Sequence, residues 1–305
     1  MQQPEAVVAE LRARGELWDA GPGLAGMRGD LANLHASVSA AIAEIASADS
    51  AEMWFMPQGM SFATLERARY FESFPQWLTA ASHLSGDETV LQRVARAERP
   101  AHEAALSLET AAAALPPAVC YHAYAALADS TLESPVLITA EETCWRHEGN
   151  RLAALERSWA FRMREIVFLG EPEDAEAFRI TGIERAEAFA ESLGLETRTV
   201  LATDPFFAPT SRGKALLQRV KALKHELVIS RTDGSPLAIS SFNNHERFFG
   251  EAFTIRLPDH QPTTTACVAF GIERWMLAIL MTHGTDSANW PELGLATSAL
   301  RGNQS

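Results

Sequence analysis

Side chains suited to binding a nucleotide recur at regular spacing between residues 144 and 170. They are Arg146, Glu148, Arg157, Phe161 and Glu165. Arginine presents a rigid fork of N–H donors to a phosphate, a carboxylate can accept a hydrogen bond from the exocyclic amine of a base, and an aromatic ring can stack on the base. The residue types in this set therefore indicate a nucleotide site.

Secondary structure must bring these side chains together. Alternate residues of a strand share a face, so a strand would point Arg146 and Glu148 the same way. The stretch from Glu165 to Gly170 is apolar, contains β-branched residues and stops at a glycine, which is typical of a buried strand. One interpretation is therefore a strand, a loop and a second strand. A charged amphipathic helix from Leu152 to Arg164 is the other, because the periodicity fits both.

The order aromatic-Arg-x-Glu, loop, Arg-x-x-x-Phe, with a Glu four residues later, resembles motif 2 of the class II aminoacyl-tRNA synthetases, in the form carried by seryl-tRNA synthetases. The resemblance implies an ATP site. By position, Arg146 would hold the α-phosphate, Glu148 would meet the adenine amine and Phe161 would stack on the ring. Arg157 would belong to the same ATP-binding set.

Two further segments resemble motifs 3 and 1 of that class. Residues 265–274 begin as an apolar strand, contain a glycine and end at Arg274 before an apolar helix, which implies that Arg274 holds the γ-phosphate. Asp30 to Ala46 has apolar residues at helical spacing, and Met53 to Pro57 follows as a strand ending in proline, which implies a homodimer interface. Because the three motifs occur in order, we expect an α+β class II synthetase fold with an antiparallel β-sheet flanked by helices.

Cys120, Glu165 and Cys267 show no local metal-binding spacing, and a lone cysteine is usually a small buried hydrophobic residue. Their order around motifs 2 and 3 is similar to that of the atypical, zinc-containing seryl-tRNA synthetases of methanogens. That resemblance implies a Zn²⁺ ion on two thiolates and one carboxylate, with a fourth position open to the amino group of the substrate. Glu165 would then also bind the amino acid. Cys144, on the same expected strand face as Arg146, remains an alternative.

Composition restricts the class of protein. The 305 residues carry a net charge of -13 and three cysteines, with no signal-peptide-like start, so we expect a cytoplasmic protein without disulfides. The charge is unsuited to a nucleic-acid surface, and the apolar run Trp275 to Met281 is too short to span a bilayer. We expect one catalytic domain over residues 1–305, without a tRNA-binding domain. The nine histidines, His122, His147 and His245 among them, show no paired metal spacing.

The chain is expected to begin with helices near Pro4 to Arg14 and Asp30 to Ala46, followed by a helical insertion around 61–115. Strands should dominate from Val119 to Phe270, interrupted by helices at 172–192 and 210–225.

One segment opposes the overall charge. Residues 210–225 contain five basic and no acidic residues: Arg212, Lys214, Arg219, Lys221 and Lys224. Leu216, Val220, Leu223 and Leu227 recur at helical spacing, which predicts a helix with one buried side. By charge alone this is an ordinary surface helix. Together with the preceding Thr203 to Phe207 it resembles the amino acid:[carrier protein] ligases, which are bacterial synthetase homologues that load an amino acid onto a phosphopantetheine thiol. The resemblance implies an acidic carrier protein as partner, docked on this basic helix, and Lys224 close to the nucleotide.

A hairpin is expected around Arg231 to Ser235, because Asp-Gly lies between two apolar runs. Its second strand resembles a synthetase segment in which Ser and Asn line the active site, which implies roles for Ser240, Ser241 and Asn244. Ala238 stands where that segment carries a Glu that helps to hold Mg²⁺, so the metal-ATP geometry departs from the pattern.

The expected reaction is attack of an amino acid carboxylate on the ATP α-phosphate, helped by Arg146, Arg274 and Mg²⁺, followed by transfer to the carrier thiol. Glycine and alanine are the amino acids that the resemblance suggests. A tRNA-charging enzyme with a partner domain and a non-catalytic nucleotide- or amino-acid-binding relative are the alternatives.

Overall fold

The computed structural model describes residues 1–48, 50–202 and 221–293. Within these ranges the chain forms ten α-helices. They are α1 (Pro4–Ala13), α2 (Gly29–Ser47), α3 (Phe62–Arg67), α4 (Tyr70–Ser73), α5 (Glu88–Arg96), α6 (Pro100–Leu106), α7 (Cys120–Ala126), α8 (Pro172–Ser192), α9 (Phe248–Ala252) and α10 (Ile272–His283).

Eleven strands accompany the helices in the same ranges. They are β1 (Leu17–Gly21), β2 (Leu24–Met27), β3 (Glu52–Met53), β4 (Ala80–Ala81), β5 (Ala113–Ala114), β6 (Val136–Trp145), β7 (Ala160–Gly170), β8 (Thr197–Leu201), β9 (Lys224–Ser230), β10 (Pro236–Asn244) and β11 (Thr264–Gly271). Seven of them form one sheet in the order β3-β6-β7-β11-β10-β9-β8. Only the short β3 pairs in parallel, so the sheet is antiparallel as expected.

Both faces of the sheet are covered. The apolar sides of α1, α2 and α10 and the end of α8 pack on one face, where the indole of Trp275 lies against Phe189 and Phe270. Residues of α3, α4, α7 and α9 pack on the other. Burial of a large apolar side chain stabilises the fold by about 1.5–3 kcal/mol. Helix α10 is buried along most of its length, so its packing contributes strongly to the stability of the helix layer on the sheet.

The antiparallel sheet flanked by helices that was expected from the sequence is confirmed. The expected helices at 30–46 and 172–192 correspond to α2 and α8. The expected helical insertion at 61–115 contains α3 to α6 and, in addition, a small ribbon of β4 and β5. The motif 1 strand is shorter than expected, since only Glu52–Met53 pairs with β6.

Two expectations about local structure were wrong. Cys120 begins helix α7, whereas strands were expected from Val119 onward. The expected basic helix does not continue to His225, because Lys224–Ser230 is strand β9. Most of that segment, with Thr203 to Phe207, lies outside the described residues. The alternative helix from Leu152 to Arg164 is excluded, because β7 starts at Ala160.

The expected hairpin is present as β9 and β10, joined around Asp233 and Gly234, which has a positive φ of 81° that glycine adopts without strain. The pairing register shifts between Ala238 and Ser240, so Ile239 is the extra residue of a β-bulge. Beyond a bulge the alternation of side chains shifts by one residue, so residues that would point to one face of the sheet point to the other. No helix in the described ranges is both long and apolar enough to cross a membrane.

Candidate active site

A cavity of about 890 Å³ lies over the face of the sheet that carries α7 and α9. Strands β7, β9, β10 and β11, the loop between β6 and β7, and the start of α10 line it. Most of the predicted site residues reach this cavity. They are Cys120, Arg146, Glu148, Arg157, Phe161, Glu165, Lys224, Ser240, Ser241, Cys267 and Arg274.

Arg146 directly follows β6, and two aromatic rings hold its side chain. Its Nε donates to the carbonyl oxygen of Pro117 at 2.8 Å. Its guanidinium carbon lies 5.5 Å from the centre of the Trp77 ring and 5.4 Å from that of Phe161, within the range of a cation–π contact. A positive charge and an aromatic face are therefore adjacent, as binding of a phosphate beside a base requires.

Glu148 and Arg157 lie in the loop between β6 and β7. Nη1 of Arg157 donates to Oε2 of Glu148 at 2.9 Å. Both side chains are partly buried and line the cavity. The loop thus presents an acceptor and a donor side by side, next to Phe161.

Arg274 stands at the first turn of α10, where backbone carbonyls fix its direction. Nε donates to the carbonyl of Glu156 at 2.7 Å and Nη1 to the carbonyl of Ala238 at 3.1 Å. Burial lowers the pKa of Arg274, but a guanidinium keeps its charge in proteins. The Ala238 methyl offers no metal ligand, so the position contributes a carbonyl acceptor instead of a carboxylate.

Lys224 and Ser241 complete this part of the cavity. The Nζ of Lys224 lies 3.2 Å from Glu226, and Ser241 pairs with Glu226 across β9 and β10. The hydroxyl of Ser240 accepts a hydrogen bond from the indole of Trp275 at 3.0 Å, so it serves the packing of α10.

Cys120, Glu165 and Cys267 converge at the floor of the cavity. Their possible ligand atoms all lie within 4.8 Å of one another, and the three side chains are buried. Cys120 comes from the start of α7, Glu165 from β7 and Cys267 from the neighbouring β11. The backbone N–H groups of Val119 and Cys120 donate to the two oxygens of Glu165 at 3.2 and 3.1 Å, which fixes the carboxylate toward the thiols.

The protonation of this group reflects its burial. Burial, followed by repulsion from Cys267, raises the pKa of Glu165 to about 8. The hydrogen bond shared by the two cysteines raises the pKa of Cys120 and lowers that of Cys267. Several acidic groups buried together repel one another once ionised. A divalent cation removes that repulsion, and two sulfurs with one carboxylate are a donor set that zinc accepts.

Cys144 is not a member of this group. It lies on β6 opposite Phe161, and burial raises the pKa of its thiol well above the usual range. Among the described residues, the three-member group contains only the other two cysteines and Glu165.

The structure brings two residues to the group that the sequence did not single out. The amide nitrogen of Asn243 lies 3.6 Å from the Cys267 sulfur, directly opposite on β10, and Nε2 of His245 lies 3.8 Å from the same sulfur. Asn244, expected to bind substrate, is outside the cavity and donates to Glu176 of α8 at 3.1 Å. The bulge at Ile239 explains why Asn243, and not Asn244, lies in the cavity, because it turns the odd-numbered residues after it toward the cavity face.

No protein-family model matches the chain. Two curated proteins of Bradyrhizobium diazoefficiens, "Amino acid--[acyl-carrier-protein] ligase 1" and "Amino acid--[acyl-carrier-protein] ligase 2", are 37% identical over 238 residues and 36% identical over 244 residues. These alignments cover 77% and 79% of this chain and 72% of each relative. A "Type-2 serine--tRNA ligase" of Methanopyrus kandleri is 29% identical over 193 residues, which are 58% of this chain and 36% of that protein.

Solved structures share the fold. The crystal structure of M. kandleri SerRS in complex with A. aeolicus tRNASec superposes with a TM-score of 0.83 at 24% identity. The cytoplasmic serine-tRNA ligase of Naegleria fowleri in complex with AMP superposes with a TM-score of 0.73 at 14% identity. Each match covers 97% of this chain but only 60% and 59% of those chains. On the strength of the two Bradyrhizobium relatives, the chain belongs to the amino acid--[acyl-carrier-protein] ligase family.

Proposed function

We propose that this protein activates a small amino acid with ATP and transfers it to the phosphopantetheine thiol of a carrier protein. The observation that carries the proposal is the buried Cys120, Glu165 and Cys267 group on the floor of a cavity whose wall holds Arg146, Phe161 and Arg274. The residues that would bind the amino group and those that would bind the nucleotide thus line the same cavity. The names of the Bradyrhizobium relatives supply the carrier protein and the amino acid.

In the first step an oxygen of the amino acid carboxylate would attack the ATP α-phosphorus, and the bond to pyrophosphate would break. The carboxylate is already ionised, so the protein needs to align the two substrates and neutralise phosphate charge more than it needs a general base. Arg146 and Arg274 would hold the phosphates, and Glu148 and Phe161 would hold the adenine. A class II synthetase fold implies Mg²⁺ with the ATP.

Cys120, Glu165 and Cys267 would hold Zn²⁺, which supplies a Lewis-acid position for the substrate amino group. The resemblance to the carrier-protein ligases suggests a small amino acid, glycine or alanine. Tyr121, Phe249 and Met163 line the same cavity as the ligand group.

In the second step the carrier thiol, as its thiolate, would attack the carbonyl carbon of the adenylate. AMP would leave with the electron pair of the carbon–oxygen bond, and a thioester would form. An acidic carrier would complement the basic residues of 210–225. Of the two that are described, Lys221 is exposed, whereas Lys224 is buried in the cavity wall.

We also propose a homodimer through the motif 1 region. Met53 and Phe55 are 56% and 92% exposed beside the edge of the sheet, which is unusual for large apolar side chains.

The transfer assay tests the function. Purified protein would be loaded with zinc and offered ATP, radiolabelled glycine or alanine, and either holo carrier protein or tRNA. We expect label on the holo carrier protein and none on apo carrier protein, which lacks the thiol. Label on tRNA alone would support the tRNA-charging alternative, and absence of amino-acid-dependent ATP/pyrophosphate exchange would support the non-catalytic one.

A further inference from the structure

His245 lies immediately after β10 and is fixed on three sides. Its backbone N–H donates to the carbonyl of Thr265 at 2.8 Å. Its ring packs edge-on against Phe249 at 4.9 Å and against Tyr124 at 6.3 Å between ring centres. The backbone and the ring plane are therefore held independently, and the imidazole has a defined direction.

The contacts of the two ring nitrogens determine the tautomer. Nδ1 lies 3.2 Å from the hydroxyl of Thr265 and 3.4 Å from that of Tyr124, and either hydroxyl can donate to it. Nε2 lies 3.8 Å from the sulfur of Cys267, within reach of an N–H···S hydrogen bond. A neutral imidazole with Nδ1 as acceptor carries its proton on Nε2, so the N–H is directed at the Cys267 sulfur.

His245 contacts one member of the ligand group and is not itself a member. Within the described part of the chain, the group whose ligand atoms all lie within 4.8 Å of one another contains only Cys120, Glu165 and Cys267. A fourth ligand would have to approach all three. His245 is close to Cys267 alone, as expected for a residue that hydrogen-bonds a metal ligand without binding the metal.

We propose that His245 is a positioning residue of the metal site, which donates Nε2–H to the Cys267 sulfur and holds it toward Cys120 and Glu165. The inference rests on the proposed zinc site. The amide of Asn243 on β10 approaches the same sulfur at 3.6 Å, so two donors, one in the strand and one just after its end, restrict the Cys267 side chain. Thr265, fully buried next to His245, orients the ring and gives the tautomer its preference.

Two substitutions separate the donor from the shape of the side chain. His245→Phe keeps a planar ring but removes both nitrogens, whereas His245→Gln places an amide N–H near the position of Nε2. We expect His245→Phe to bind zinc about 10- to 100-fold more weakly in competition with a chromophoric chelator. His245→Gln should recover most of that loss. His102→Gln, at an exposed position on α6, is the matched control and should bind zinc as the unmodified protein does.

A second readout is specific to the hydrogen bond. With Co²⁺ in place of zinc, the thiolate-to-cobalt charge-transfer band should move to longer wavelength in His245→Phe, because loss of the donor raises the energy of the sulfur electrons. The band should return toward its original position in His245→Gln. If His245→Phe does not fold, Thr265→Val, which removes the hydroxyl that orients the ring, replaces it and should weaken zinc binding in the same direction.

The outcomes are distinct. Unmodified protein that binds no zinc overturns the metal site of the proposed function and this inference with it. Unmodified protein that binds zinc, with unchanged affinity and unchanged cobalt spectrum in His245→Phe, or in Thr265→Val where that replaces it, overturns the role of His245 alone.

Discussion

Arg157 and Glu148 form an ion pair, with Nη1 of the arginine 2.9 Å from Oε2 of the glutamate, inside the cavity where both are expected to meet ATP. Each side chain therefore has a hydrogen-bond and charge partner within the protein itself. The pair joins two positions of the loop between β6 and β7, and Glu148 and Phe161, the expected partners of adenine, line the same cavity.

Glu148→Gln should raise the KM for ATP about tenfold in amino-acid-dependent ATP/pyrophosphate exchange, because a neutral amide is a weaker partner for both Arg157 and the adenine amine. The KM for the amino acid should stay the same. Glu103→Gln is the matched control, since Glu103 also pairs with an arginine, Arg93, but on the surface and outside the cavity. An unchanged KM for ATP in Glu148→Gln would contradict the assignment.

Cys120→Ala and Cys267→Ala should each lose stoichiometric zinc, measured by metal analysis after dialysis, and with it amino-acid-dependent exchange. Two remaining ligands in a buried site hold the ion too weakly. Cys144→Ala should keep its zinc, because that thiol is buried outside the three-member group. Full metal content in both of the first two variants would mean that these cysteines are not ligands.

Arg274→Lys should lower kcat/KM for ATP by about 100-fold, as expected when a preorganised charge is removed from phosphoryl chemistry. Lysine cannot reproduce the two bonds by which the guanidinium is held to the carbonyls of Glu156 and Ala238. Zinc content should not change. A variant with normal exchange kinetics would show that Arg274 does not act on the ATP phosphates.

Glu273 should make stability depend on pH. Both of its oxygens accept from the backbone N–H of Arg162 at 2.9 Å, and burial raises its pKa from 4.5 to about 7. Between these values the unfolded chain ionises Glu273 while the folded chain keeps it protonated, so stability falls as pH rises through this window and then levels off above pH 7. The full difference corresponds to about 3 kcal/mol.

The measurement is the unfolding free energy by denaturant at pH 5 and pH 8. Glu273→Gln should reduce the difference by about 3 kcal/mol, because glutamine accepts the Arg162 N–H without ionising. Glu165, whose pKa burial raises to about 8, contributes its own part of the difference in metal-free protein and in both variants. Glu44→Gln, on the exposed side of α2, should retain the whole difference. The inference about Glu273 fails if the two variants respond to pH alike.

The nucleotide side of the site could be read from the sequence because its residues are close together along the chain. Arg146, Glu148 and Arg157 lie in the loop between β6 and β7, and Phe161 lies at the start of β7, so the four are held by one hairpin. Arg274 follows a strand and a glycine in the same local way. The order of these motifs was enough to predict the α+β fold and the family.

The exact lining of β10 could not be read in this way. Counting from Ala238, strict alternation would direct Ser240 and Asn244 to the cavity. The bulge at Ile239 adds one residue, so Ser241 and Asn243 occupy that face, while the Ser240 hydroxyl at the cavity edge is bonded to Trp275 and Asn244 lies outside the cavity. The sequence holds no turn or glycine at this point that would have revealed the shift.

The sequence by itself determined the order of the motifs, and through them the sheet, the flanking helices and the side chains that follow one another along β6 and β7. Only the tertiary structure decided that Cys120, Glu165 and Cys267 share one point and that His245 and Asn243 meet Cys267 there. These residues come from α7, β7, β11 and the end of β10 with the residue after it. Their distances from one another therefore cannot be predicted from spacing along the chain. Packing of the sheet and its helices sets those distances, and a single bulge was enough to change which side chains take part.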